Sequence, residues 1–381
     1  MRVLVVNAGS SSVKIRLLDP DNTLRHEVNL DAERGQPQPG AVATAIKNIG
    51  SVDAVGHRVV HGATSFTGPV VVDAVVLAKL DQLVALAPLH QPPALAALRT
   101  TLEVLPDVPS VACFDTAFHT TLPPAAATYA IPDPWRTNLG VRRYGFHGLA
   151  HQWAAHRAGE LTSPSARIVV AHLGAGASLC AVRDGRSVDT TMGFTPTAGL
   201  VMASRCGDLD PAVPLWLVQH AGLAAGEVAG ALDHHSGLTG LAGTPDMRAV
   251  LAAEHSGDAA AELAIAVWLH RLRREIAAMA AALGGLDVLV FSGGIGEHQP
   301  QLRARTVTGL GFLGLDLDPA ANEAIRPSCD ADISTPDASV RTLVVHARED
   351  LVIADQVRAT LRGNDIAPMG VTGTSTIQEL N

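Results

Sequence analysis

The sequence predicts an α/β protein in which one strand–turn–strand unit is used twice. Three observations carry this expectation. Short apolar runs enter glycine turns at VLVVNAGSSSVKIRLLD (residues 3–19), IVVAHLGAGASLCAVRDG (168–185) and DVLVFSGGIGEH (287–298). The first two share a plan, and overlaying them at Ser12 and Ser178 sets Gly9-Ser10-Ser11-Ser12 against Ala175-Gly176-Ala177-Ser178. Elsewhere strands alternate with helices, the pattern of a largely parallel sheet whose ligands gather at strand C-terminal ends. At 381 residues the chain is too long for one ordinary core, so two domains are expected.

The elements follow in order. After the first hairpin, residues 31–41 are polar with Gly and Pro and read as a loop. VDAVGHRVVHG (52–62) reads as a strand, and two proline-bounded helices follow in DAVVLAKLDQLVALAP and PPALAALRTTLEVLP. VPSVACFD (108–115) is a short buried strand delivering Asp115 at its end. The second half repeats the plan: strand–turn–strand at 167–183, another strand near Ser187–Thr191, and helical stretches from Pro211. The clearest helix is 258–283, where Leu269, Leu272, Ile276, Met279 and Leu283 step by three and four before Gly284-Gly285. The apolar run Asp287–Phe291 then feeds the third glycine turn. Residues 363–381 lack periodicity and read as a flexible tail.

Composition narrows the function. Hydrophobic residues make up 47% and charged residues 17%, which describes a well-buried globular chain. A net charge of −9 argues against nucleic acid or an anionic membrane as partner, so an anionic substrate needs local cations. Cys113, Cys180, Cys206 and Cys329 are widely spaced without a CxxC pair, as expected of thiols in a reducing compartment. No basic region precedes a long apolar stretch, and no segment is long enough to cross a bilayer; a cytoplasmic protein is expected.

Several segments carry residue types suited to phosphate and carboxylate chemistry. Asn7-Ala8-Gly9-Ser10-Ser11-Ser12 offers backbone donors and hydroxyls, with Lys14 nearby as a cation. An ordinary β-turn with serine turn-formers accounts for the same residues. No Walker loop GxxxxGK[ST] is present, and the dinucleotide fingerprint fails at the second turn, where a strand follows instead of a helix. In HRVVHG (57–62), strand periodicity sets Arg58 and Val60 on one face, a fork for carboxylate oxygens beside a wall for a short apolar tail. Arg205 in SRCGDLDP (204–211) is a second candidate, and for each arginine pairing with an ordinary acid is the competing account. FDTAFH and RYGFHG contribute Asp115 and His147; a lone histidine in apolar surroundings is more often structural than catalytic. None of the histidines has HExxH-like spacing, so a zinc site is not expected. Asp246 and Arg248, and Glu349-Asp350, are charges near turns and read singly as solvated loop residues.

Taken in order, ten segments resemble the acetate/propionate/butyrate kinase family. They are VNAGSSSVK (6–14), GHRVVHG (56–62), APLHQPP (87–93), FDTAFH, YGFHG, AHLGAGAS (171–178), MGFTPTAGLVMASRCGDLDP (192–211), DMR, SGGIGEH (292–298) and REDLVIA (348–354). The resemblance implies the actin/Hsp70/sugar-kinase fold: two duplicated ribonuclease H-like βββαβαβα domains with the nucleotide in the cleft between them. It sets domain I at 1–117 plus a returning helix at 351–363, domain II at 118–350, and a tail at 364–381. It also implies a homodimer acting on small molecules.

Carried over by motif, Asn7 and Glu349 resemble the Mg²⁺ (or Mn²⁺) residues, partly through water. Ser10, Ser12 and Lys14 resemble phosphate ligands. His172, Leu173, Gly174, Ala175 and Gly176, together with Asp246, Met247, Arg248, Gly294, Ile295, Gly296, Glu297 and His298, resemble the ATP/ADP site. Arg58 resembles the acetate-binding residue, with Val60, Leu89 and Pro196 as the methyl pocket. His147 and Arg205 resemble stabilisers of the transferring phosphoryl group, with Asp115 close by. The implied reaction is reversible phosphoryl transfer from ATP to acetate by direct in-line attack, giving acetyl phosphate and ADP. Because a small carboxylate is already ionised at pH 7, Asp115 is expected to orient an arginine or the metal shell rather than act mainly as a base. Two positions depart from the family pattern, Ala175 for an asparagine and His298 for another, both in nucleotide loops; weaker nucleotide affinity or an altered phosphoryl donor is the expectation. Propionate is the alternative acceptor, since one methylene in an apolar pocket is worth roughly 1–3 kcal/mol. A catalytically weak nucleotide-binding switch is the alternative of a different class, but it would need neither Arg58 nor Arg205.

Overall fold

The computed structural model describes residues 1–9, 12–33, 36–88 and 91–363. Ser10, Leu89 and the tail at 364–381 therefore lie outside the described residues. The chain divides into two compact units: Met1–Thr120 with Phe146–Trp153 and the segment from Arg348, and Thr121–Gly145 with Ala154–Ala347.

The first unit contains β1 (Val3–Ala8), β2 (Ser12–Leu18), β3 (Leu24–Glu33), β4 (Gln36–Pro37), β5 (Ala54–Val59), β6 (Val70–Val71) and β7 (Ser110–Phe114). They form one sheet in the order β4-β3-β2-β1-β5-β7-β6. The second contains β8 (Ile168–Leu173), β9 (Ala177–Arg183), β10 (Arg186–Thr190), β11 (Val288–Ser292), β12 (Ala331–Asp332) and β13 (Arg341–Val344), ordered β10-β9-β8-β11-β13-β12. In both, an antiparallel triplet meets a parallel run: β1, β5 and β7 in one, β8, β11 and β13 in the other. Each parallel run ends on a short antiparallel edge strand. The duplication expected from the sequence is therefore present in six strands of each sheet, with β4 an addition to the first.

The overlay of the two hairpins needs correcting. Ala8 pairs with Val13 and Leu173 with Ala177, so four residues separate the first pair and three the second. Lys14 faces Asn7 as Ser178 faces His172. Ser178 thus corresponds to Lys14 rather than Ser12, because ladder register, not turn composition, fixes equivalence.

The first sheet is covered on both faces, as a parallel run requires. Leu4, Val6, Ile15 and Val55 pack with Val42, Ile46 and Ala97 of the helices Ala41–Lys47 and Gln91–Val104. On the opposite face Val3, Val5, Ala54, Val111 and Cys113 meet Val352, Ile353 and Val357 of the C-terminal helix Glu349–Leu361. Gly56 sits under that helix, where an added Cβ would lie 2.4 Å from Ile353 Cγ2. In the second unit β8, β9 and β11 are almost wholly buried, with the helix Ala259–Leu283 among their neighbours. That helix starts on the Asp258 side chain, which accepts the Ala261 N–H, and stops at Gly284 in the left-handed region.

Two stretches differ from expectation. Residues 31–41 are not one loop: β3 runs through Glu33, β4 follows, and a helix begins at Ala41. Asp31 extends the ladder with β2, and Ala32 and Glu33 pair with Pro37 and Gln36 of β4, so strand pairing recruits residues that lack strand propensity of their own. The third glycine turn is itself a short helix, Gly293–His298.

Candidate active site

Four sequence-selected residues of the first unit form one connected chain. Asn7 ends near the top of β1, Arg58 lies on β5, Asp115 follows β7 directly, and Glu349 opens the C-terminal helix. Because β1, β5 and β7 are adjacent and parallel, their C-terminal ends deliver these side chains to one edge. Asn7 Nδ2 donates to Glu349 Oε2 at 2.8 Å, and Arg58 Nη1 donates to Asn7 Oδ1 at 3.4 Å. Arg58 also grips Asp115 bidentately, through Nε at 3.1 Å and Nη2 at 2.6 Å. The guanidinium fork is thus engaged by Asp115, and the Nη1–Nη2 edge is what a further acceptor would meet. Burial works against charge on Arg58, but Asp115 and then Glu349 outweigh it and raise its pKa above the ordinary value. Asp115 is buried at 1% exposure, so the pair is held where charge is not diluted by water.

His147 joins this group through the backbone. It has a φ of 57°, rare for a residue with a side chain, and precedes the helix Gly148–Leu161. The Gly148 N–H donates to the Asp115 carbonyl at 3.0 Å, and a Cβ on Gly148 would lie 2.0 Å from that oxygen. His119 Nε2 donates to the Phe146 carbonyl at 2.9 Å. The FDTAFH and YGFHG segments are therefore stitched together, and the strained residue is fixed on both sides. Lys14 lies opposite Asn7 on β2, and Ser12 accepts the Gly9 N–H through its carbonyl at 2.8 Å. Val60 is buried, but β5 ends at Val59, so the period-two argument that set it beside Arg58 stops one residue short.

The remaining selected residues belong to the second unit. His172 pairs with Ser292 across the parallel strands β8 and β11, so the turns Gly174–Gly176 and Gly293–Gly296 leave neighbouring strand ends. Gly293 has a φ of 77°, and its Cβ would lie 2.8 Å from the Leu173 carbonyl; only glycine allows this approach. The Ala203 N–H donates to the Ala175 carbonyl at 3.1 Å, bringing the loop of Arg205 to the same place. Arg205 Nη1 donates to the Pro196 carbonyl at 2.7 Å. Gly294, Ala175 and His298 are exposed, whereas Gly296 is buried and Ile295 partly so. Glu297 turns inward: its carboxylate accepts from Gly293 N–H and Ala347 N–H and meets His346 Nδ1 at 2.7 Å. Asp246 caps the helix Met247–His255 and pairs with Arg248, both largely exposed, while Met247 is core.

Gln91 and Arg303 escaped the sequence reading as supporting residues, and Asp350, read singly as a solvated loop charge, is instead buried. The loop after β5 is held by Gln91, whose side chain exchanges two bonds with the His61 backbone, each 3.1 Å. Asp350, 4% exposed, collects both Arg16 and Arg348. Arg303 is buried and donates to the Gly296 and Glu297 carbonyls, and burial lowers its pKa to about 10. Gln91 lies 30 residues from His61 and Asp350 lies 334 from Arg16, separations that no local pattern bridges.

Residues 41–355 match the model of the Acetokinase family. The chain belongs to that family. It is an enzyme of that family, a phosphotransferase acting on a carboxylate acceptor. An acetate kinase of Deinococcus radiodurans is 42% identical, the match covering 96% of this chain and 100% of that one. An acetate kinase of Leifsonia xyli is 44% identical over 93% of this chain and 97% of its own length. Among acetokinase-family structures, the Porphyromonas gingivalis acetate kinase superposes with a TM-score of 0.84 at 34% identity, covering 94% of this chain and 99% of that one. A propionate kinase from Francisella tularensis gives 0.85 at 34% identity over the same shares. These likenesses agree with the duplicated actin/Hsp70/sugar-kinase architecture.

Proposed function

We propose that the chain transfers the terminal phosphoryl group of ATP reversibly to acetate, and that the Glu349–Asn7–Arg58–Asp115 chain is the acceptor side of the site. The single observation that carries this is the bidentate Arg58–Asp115 pair, which presents one guanidinium edge in a fixed direction. A carboxylate oxygen attacks phosphorus while the bond to the ADP oxygen breaks, and no proton has to move first. The obstacle is bringing one anion onto another, so the chemistry needs fixed cations where charge accumulates. Arg58 holds the acceptor, oriented by Asp115; His147 and Arg205 face the phosphoryl group; Ser12 and Lys14 bind phosphate. The turns Gly174–Gly176 and Gly293–Gly296, with Asp246 and Arg248, hold the nucleotide. Val60 and the carbonyl-bearing turn at Pro196 bound the methyl group.

The donor set suits magnesium, which binds through one or two carboxylates, substrate phosphates and water. Asn7 and Glu349 offer hard oxygens, and Asp115 is committed to Arg58. Magnesium held there would neutralise phosphate charge. Exposed Ala175 supplies no side-chain amide, which supports weakened ATP affinity or use of another donor. Propionate is retained as a second acceptor because the structural likeness to a propionate kinase equals that to an acetate kinase. A homodimer is supported by the apolar helix Ala212–Gln219, which has no buried residue. No helix among the described residues is long and apolar enough to cross a membrane. Cytoplasmic residence is supported by the free thiols of Cys113 and Cys180.

The test is a hydroxamate trap for acyl phosphate with ATP, Mg²⁺ and acetate, propionate or butyrate at equal concentration. Acetate should give the highest initial rate. Absence of acyl phosphate from every acid would refute the kinase reading, and faster propionate would move the acceptor assignment. Repeating the assay with GTP and pyrophosphate decides the donor.

A further inference from the structure

The family resemblance places Glu297 among the nucleotide ligands, yet its carboxylate is spent inside the protein. One oxygen accepts the Gly293 N–H at 3.0 Å and the Ala347 N–H at 3.1 Å, while the other meets His346 Nδ1 at 2.7 Å. Burial alone would raise its pKa, but His346 and the Ala347 N–H outweigh this and lower it. Gly293 is the first residue of the third glycine turn, the short helix Gly293–His298. A free N–H at that position is one of the donors a helix start leaves without a backbone partner, and Glu297 takes it from within the same turn. His346 and Ala347 lie at the exit of β13, which runs beside β11, the strand feeding that turn. The next two residues in the chain are Arg348 and Glu349.

The turn is gripped from its other end as well. Arg303, 2% exposed, donates to the carbonyls of Gly296 and Glu297 at 2.8 Å each, and its remaining arms hold the side chain and carbonyl of Asn322. Both ends of Gly293–Glu297 are thereby fixed by buried charge-assisted bonds, which are the strong kind. Between them, Gly294 has open space where a Cβ would stand.

We propose that Glu297 is a positioning residue that sets two things with one carboxylate: the backbone of the nucleotide turn and the lead-in to Glu349. It acts through Gly293 and Ala347, without touching substrate. The inference rests on the nucleotide and magnesium assignments above and adds that they are mechanically joined. Removing the carboxylate strands two backbone donors and frees both segments. Glutamine, of the same shape, keeps an oxygen for the two N–H groups and can donate its amide to His346 Nδ1.

The experiment compares Glu297→Ala, Glu297→Asp and Glu297→Gln with the parent protein. MgADP affinity is read by calorimetry, which requires no turnover, and KM for ATP, Mg²⁺ and acetate by the hydroxamate assay. Glu297→Ala should weaken MgADP binding about tenfold and raise KM for ATP and the Mg²⁺ requirement together, the size expected for stranded buried donors. KM for acetate should stay within about twofold of the parent on the same grounds. Glu297→Asp, too short to span both donors, should move the same way, and Glu297→Gln should restore most of the loss. If Ala and Asp variants lower only the thermal midpoint, with MgADP affinity unchanged, the proposal is wrong. An equal rise in the KM for acetate would overturn it too, since that marks general loosening. If the parent binds MgADP but makes no acyl phosphate, the kinase reading fails while calorimetry still judges Glu297.

Discussion

Arg58 and Arg205 are held by different partners, and that difference bears on what each can do. Arg58 is anchored by the buried Asp115 carboxylate, which fixes the direction of its fork, whereas Arg205 Nη1 meets the Pro196 carbonyl. For the phosphoryl role proposed for Arg205, Arg205→Ala is expected to lower kcat by about 10³–10⁵-fold, the range for an arginine that meets phosphoryl charge, with smaller changes in KM for acetate. A variant within tenfold of the parent in steady-state assays would remove Arg205 from the phosphoryl role. His57 makes a prediction of another kind. It lies 1% exposed on β5, neither ring nitrogen has a partner among the described residues, and burial pushes its pKa down to about 3. The unfolded chain binds its proton near pH 6.5 and the folded chain does not, so stability falls as pH drops from about 6.5 towards 3. His61, lowered by burial to about 4, adds to the same limb. The urea midpoint should thus fall between pH 7 and pH 5, and less so in His57→Leu. Identical acid limbs in the two proteins would contradict this. The sequence made the reactive residue types visible at this scale. It did not show that Asp115 grips Arg58, because that bond joins residues 57 positions apart.

The strand ends at which these residues sit depend on close approaches between elements. Gly56 is the clearest case: β5 crosses beneath the C-terminal helix, with Ile353 Cγ2 and Val357 Cγ2 at 2.4 and 2.8 Å from where a Cβ would stand. Gly56→Ala should lower stability by about 1–3 kcal/mol, the usual result of overpacking a filled core. Chemical denaturation should register it, and an unchanged midpoint would mean the helix moves aside freely. Elements with strong local signals were legible. The helix Ala259–Leu283 has its aspartate cap, its three-and-four spacing and its terminal glycine all in the sequence. The stretch 31–41 was not legible, since its strand character comes from ladder pairing, Asp31 with β2 and Ala32 and Glu33 with β4, and not from residue propensity. The hairpin overlay failed for a related reason: turn length, which shifts register, cannot be read from turn composition.

For the molecule as a whole, the exposed apolar helix Ala212–Gln219 is where the proposed homodimer is tested. Leu215 and Trp216 are 60% and 57% exposed, with Leu209, Val218 and Leu223 exposed nearby. A twofold interface meets each substitution twice, so Trp216→Glu should convert a homodimer to a monomer. Light scattering after size exclusion decides it, and a dimer mass in the variant would place the interface elsewhere. The repeated strand–turn–strand unit was foreseeable because it survives in the chain as hydrophobic periodicity, a local property. Residue chemistry and family membership were equally available from the sequence. Only the tertiary structure decided that Glu297 faces inward, that Asp350 gathers two arginines and that Gly148 locks His147 to Asp115. Those contacts depend on which strand ends lie side by side, and adjacency in a sheet is set by crossover connections, which no local pattern encodes.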